Sequence, residues 1–176
     1  SDVEKLIRDA EKKMDDFRKD SERLVRELEE KLKRHEERVR DLLRELKELL
    51  EEVRRKDSRD EELRRLEEEI DKKLEEVDRR TEELKRRIDK ELEDHRRKLE
   101  KLREELDRTL EDLVRKKGRS SEKIKEAVDR IKKALRDSHK ELAEVVERIK
   151  RKLDETNREL KDEARKIKEE LRRVEK

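Results

Sequence analysis

The residues with the most chemistry to offer are His35, His95 and His139, the three histidines of this 176-residue chain. An imidazole can serve as a general base, a metal ligand or a proton store near neutral pH. Ser21 with His95 has the residue types of a nucleophile and its base. That chemistry also needs a carboxylate behind the imidazole, donors for an oxyanion and a pocket. None is legible, because helical N–H groups are consumed internally, so no catalytic residue and no enzymatic activity is expected. No metal or cofactor is expected either. Register places His35 roughly 20 Å along the helix axis from His95, and His95 with His139 supplies two ligands where zinc takes three or four.

These side chains take their meaning from the pattern around them. Apolar residues run Val3, Ile7, Ala10, Met14, Phe17, then Leu24, Leu28, Leu32, then Val39, Leu42, Leu46, Leu50, Val53, with Ser21 and His35 standing at two of the steps. A second run goes from Leu63 to Leu113 and a third from Ile124 to Val174. The mean step lies between the 3.5 residues of a heptad and the 3.6 of a straight helix, which predicts slight left-handed supercoiling.

Composition agrees with the periodicity. Charged residues make up 65% and hydrophobic residues 27%, with one Gly, one Phe and no Pro, Cys, Trp or Tyr. So little apolar content would suggest disorder in an unpatterned chain. Here the apolar residues fall on one stripe of a helix, and strong helix formers fill the rest. The net charge is +2, from 58 basic and 56 acidic residues with interleaved signs. No one-sign field exists to hold nucleic acid or anionic lipid, and no stretch is apolar enough to span a membrane. No signal peptide is legible.

Two breaks divide the chain. At the first, Ser58 with Glu61 fits a capping box, as Ser1 with Glu4 does at the start. At the second, Gly118 suits a C′ position and Ser120 or Ser121 an N-cap. Acidic residues gather at helix starts and basic residues at helix ends, as the macrodipole favours. The expectation is an all-α fold: one long antiparallel up-down-up three-helix bundle, coiled-coil-like and rod-shaped. It forms a single domain over 1–176, with helices of about 2–56, 59–117 and 121–175.

Antiparallel neighbours imply constant register sums. Phe17 with Leu99, Leu28 with Ile88 and Leu42 with Leu74 each add to 116; Leu113 with Ile124, Ile88 with Ile149 and Leu63 with Val174 each add to 237. The same rule sets His35 opposite Thr81 and Thr81 opposite Thr156, a wholly polar layer. It sets Ser21 opposite His95, with Ser138 one layer away and His139 at the boundary. The expected buried polar network is therefore His35, Thr81, Thr156, Ser21, His95 and Ser138. Thr109 is expected to bond its own backbone. Clustering lets each buried donor meet an acceptor, and burial should lower the pKa of His95. Leu6, Val25, Leu43, Leu49, Val114, Ala127, Ala134, Ala143 and Val146 flank the core. They widen the stripe, or they form a seam through which the chain self-associates.

These features resemble those of de novo designed helical bundles on parametric backbones with buried hydrogen-bond networks. The resemblance rests on the register sums, the uniform caps and end charges, the near-absence of aromatics and the His35–Thr81–Thr156 layer. It implies a stable monomeric scaffold with no required partner and no natural activity. Members of that family that respond to pH do so through buried histidines, so a bundle destabilised by acid is the alternative. A spectrin-like spacer or helix-mediated interaction module shares the three-helix pattern, but should carry aromatic anchors and Pro or Gly irregularities. An apolipoprotein-like surface bundle should carry aromatic faces and a basic edge. This sequence has neither.

Overall fold

The computed structural model describes residues 2–56, 59–117 and 122–174. It is an all-α three-helix bundle: α1 spans Asp2–Arg55, α2 Asp60–Lys117 and α3 Glu122–Val174. Ser1, Ser58, Gly118, Ser120 and Ser121, to which the sequence assigns caps, lie outside the described residues. At the start of α2 the carbonyl of Arg59 accepts from the N–H groups of Glu62 and Leu63, at 3.0 and 3.3 Å. Arg59 thus fills the N-cap position, and Asp60, Glu61 and Glu62 form the first turn, where carboxylates meet the positive end of the dipole. Arg54 and Arg55 close α1 and Arg172 and Arg173 close α3, at the negative ends. Among the described residues no helix is long and apolar enough to cross a membrane.

The chain's contacts gather into two compact units. The first comprises residues 1–28 and 88–147, the second 29–87 and 148–176. The unit boundaries fall within helices, which is why no change of composition marks them.

In the first unit, Phe17, Ile124, Ile131 and Leu135 are buried together with Leu99, Leu106 and Leu113, and Met14 and Leu102 pack against them. Lys13 pairs with Glu105 at 3.1 Å and Ser21 meets His95, so α1 and α2 run antiparallel here. Lys132 pairs with Asp107 at 2.6 Å, setting α3 antiparallel to α2.

In the second unit, Leu46, Leu63, Ile70, Ala164 and Leu171 form the core, flanked by Leu42, Leu66 and Leu74. Lys73 pairs with Glu45 at 2.8 Å across α1 and α2. Between α2 and α3, Lys85 pairs with Asp154, Asp78 with Lys161, Asp71 with Lys168 and Glu67 with Arg172. In each of these four pairs the residue numbers add to 239, close to the 237 expected for the core. The difference reflects long side chains reaching across from positions beside the apolar stripe.

The burial pattern follows the α1 stripe closely. Every position of the run from Val3 to Val53 is buried or half-buried, Ser21 and His35 included. On α3 the stripe is wider than expected. Ala127 and Val146, read as flanking positions, are buried in the core at 4% and 0% exposure. Val174, paired with Leu63 in the sequence register, is 38% exposed instead. It is the last residue of α3.

Candidate functional site

Among the described residues, each unit contains one buried polar cluster. In the first, α1 presents Ser21 one turn after Phe17, α2 presents His95 and α3 presents His139. The Ser21 hydroxyl lies 3.0 Å from the Phe17 carbonyl and 2.7 Å from His95 Nε2. A helical serine donates readily to the carbonyl four residues back. With its proton committed there, Ser21 accepts from His95 Nε2–H. The neutral imidazole then carries its lone pair on Nδ1, and that atom lies 3.0 Å from Nδ1 of His139. His139 donates through Nδ1–H, so every proton of the cluster has one acceptor: His139 to His95, His95 to Ser21, Ser21 to Phe17.

The two imidazole planes differ by 12° and their centroids are 5.3 Å apart. The excess of that separation over the 3.0 Å between nitrogens is all that two ring radii can supply. The nitrogens therefore lie on the line joining the ring centres. The rings meet edge to edge in nearly one plane, with the Nδ1 lone-pair axes pointing at one another. On another side, the Phe17 ring sits 4.3 Å from the His95 ring and shields it from water.

Burial disfavours the imidazolium form of His95, and the neighbouring His139 and Lys98 disfavour it further; Asp20 only partly opposes them, so the pKa falls to about 4. Burial also lowers the pKa of His139, assisted by Arg96 and opposed by Glu93. The pair can accept one proton and keep its N–H···N bond. A second proton would set two N–H donors and two like charges face to face. The geometry suits proton storage rather than acyl transfer, because the hydroxyl proton of Ser21 points at a carbonyl and the far nitrogen of His95 faces another imidazole.

In the second unit, His35 Nε2–H donates to Asn157 Oδ1 at 2.8 Å, and Asn157 Nδ2 donates to Thr81 Oγ1 at 2.7 Å. The Thr81 hydroxyl donates in turn to the Val77 carbonyl at 2.8 Å. One side chain from each of three helices thus joins a chain of donors running in a single direction. His35, Thr81 and Asn157 are buried at 7%, 2% and 6% exposure.

Four of the six expected polar residues stand in these clusters: Ser21 and His95 in one, His35 and Thr81 in the other. Thr156 does not join His35 and Thr81; Asn157 does, and Thr156 instead lines a half-exposed surface groove with Glu36, Val39 and Arg40. Ser138 likewise lines a groove of about 610 Å³ with Arg18 and Ala134, while His139 makes the contact to His95. Both corrections have one cause. After Leu135 and again after Leu153, a step of three followed by four and a step of four followed by three reach the next core residue equally well. The helix takes the longer step first. Asn157 was legible by another signal, as the sole Asn in a chain without Gln. Thr109 bonds the Glu105 carbonyl at 2.9 Å, its own helix's preceding turn.

Among the described residues, no group of three or more His, Cys, Asp or Glu side chains is placed to hold one metal ion. Comparison with protein-family models, with curated proteins and with solved structures finds no match to this chain.

Proposed function

We propose that this chain is a de novo designed scaffold, a coiled-coil-like bundle whose two buried hydrogen-bond networks select one helix register. It acts as a monomer, needs no partner or cofactor and carries out no reaction. The observation that carries this reading is the one-way donor chain from His35 through Asn157 and Thr81 to the Val77 carbonyl. A slip of any one helix would bury at least one of these donors without an acceptor, at a cost of about 1–3 kcal/mol per group. Such layers fix arrangement better than they add stability, because apolar replacements of buried polar groups are often neutral or stabilising. The uniform charges at helix ends support a designed origin.

The test replaces the whole layer: His35→Leu, Thr81→Val and Asn157→Leu together. The variant should unfold at equal or higher denaturant than the parent, yet show more than one set of amide resonances or a mixed oligomer mass. A single set of resonances at monomer mass would remove the register role.

A second reading, a bundle that loosens in acid, is favoured by the His95–His139 pair, which sits buried beside Lys98 and Arg96. It requires that protonation open the first unit, and amide exchange at pH 5 against pH 7.5 distinguishes opening from a mere loss of margin.

A further inference from the structure

The facing nitrogens of His95 and His139 make more than a proton store. Their axes are collinear and in-plane, 3.0 Å apart, and the His95 ring is held from outside the pair by Ser21 and Phe17. On the far side of His95, Ser21 accepts the Nε2 proton and passes its own to the Phe17 carbonyl. Metal-binding histidines are oriented in this way: the second ring nitrogen donates to a fixed acceptor, which leaves the first with its lone pair.

A groove of about 330 Å³ opens onto His95, lined by Asp20, Glu27, Glu91 and Asp94 together with Arg23 and Lys98. His95 itself is 4% exposed and His139 is half-buried. The Phe17 ring packs 4.3 Å from the His95 ring, and His139 is the more exposed of the two imidazoles.

We infer that His95 and His139 form a linear two-nitrogen site for a monovalent closed-shell metal ion, copper(I) in particular. Imidazole nitrogen suits copper, and a singly charged ion with a filled d shell accepts two ligands in a line. Zinc, which takes three or four protein ligands, does not fit. Metal–nitrogen bonds of about 2 Å each require the two nitrogens to stand about 1 Å further apart than they do now, and the half-buried His139 supplies that movement. The proton on His139 Nδ1 leaves to solvent and Nε2 takes one up, so no net proton is released and the site gains the charge of the ion. His35 serves as an internal control. Its Nε2 is committed to Asn157, and no second imidazole faces it.

The test uses the full chain labelled with nitrogen-15 and silver(I) as an air-stable probe of the same charge and electron count. One equivalent should shift Nδ1 of both His95 and His139, each with one-bond coupling to silver, and leave His35 unmoved. Copper(I) presented with a competing chromophoric chelator should be taken up at one ion per chain. Ser21→Ala should weaken that uptake about 10–100-fold, as loss of an orienting partner does. His139→Leu, at a half-buried position, should abolish it while leaving the helical spectrum intact. If silver shifts His139 through Nε2 alone, moves His35 to the same extent, or is taken up equally by His139→Leu, the site does not exist. No uptake by the parent chain, checked as an unchanged unfolding midpoint with silver present, overturns it as well.

Discussion

Lys85 on α2 pairs with Asp154 on α3, and this polarity is the reverse of its neighbours Asp78–Lys161, Asp71–Lys168 and Glu67–Arg172, in which α2 supplies the acid. The reversal bears on register. A slip of one heptad in one direction brings Lys85 against Lys161, and in the other brings Asp78 against Asp154. Uniform polarity would tolerate either slip. The ammonium of Lys85 is held above its usual pKa chiefly by the hydrogen bond it donates to Asp154, against a smaller opposing effect of burial.

Reversing that charge therefore has a definite expected result. Lys85→Glu should cost about 1 kcal/mol, at the upper end for a partly exposed pair, and adding Asp154→Lys should restore most of it. Guanidine unfolding of the two single variants and the double variant measures the coupling. Strictly additive losses would mean that the pair does not contribute to register.

The two α3 positions that spacing leaves ambiguous can be separated by substitution. Asn157→Ala leaves His35 Nε2–H without its acceptor in a buried layer and should cost about 1–3 kcal/mol. Thr156→Ala, at the groove, should stay within about 0.5 kcal/mol of the parent. The same denaturant titration reads both, and equal effects would show that the layer's energy does not run through the amide.

Acid should weaken the first unit. The pKa of His95 falls from an ordinary value near 6.5 to about 4 in the folded chain. The unfolded chain binds this proton first as pH falls. The stability linked to His95 is thus complete above about 6.5, declines between about 6.5 and 4, and is lost below that, roughly 3 kcal/mol in all. His139, also lowered, acts in the same direction. The midpoint difference between pH 7.5 and pH 4.5 should shrink in His95→Asn. An equal difference in both chains would assign the acid sensitivity to carboxylates.

The proton arrangement is directly observable. At pH 8, imidazole nitrogen-15 shifts should report His95 protonated at Nε2 and His139 at Nδ1. Ser21→Ala should turn His95 into a mixture of tautomers, since its Nε2–H then has no fixed acceptor. A parent chain with His95 protonated at Nδ1 would reverse the donor order derived from Ser21 and Phe17.

Much of the fold is legible in the sequence because 3.6-residue periodicity acts over more than fifty residues in each helix. Ser21 and His95 were paired correctly by a register sum alone. The failures came where the pattern is degenerate: Thr156 against Asn157 and Ser138 against His139 are adjacent residues that straddle the edge of the stripe. Spacing cannot choose between them, but hydrogen-bond capacity can. An amide donates and accepts at once, which the layer between His35 and Thr81 requires. The collinear meeting of two Nδ1 atoms lay beyond the sequence, because it depends on side-chain rotation rather than on position.

Each unit carries its own buried imidazole, His95 in the first and His35 in the second. The ring resonances of these two residues therefore report local opening separately. Native-state hydrogen exchange, read beside those rings across a denaturant series, can establish whether the chain unfolds as one cooperative body or in two steps.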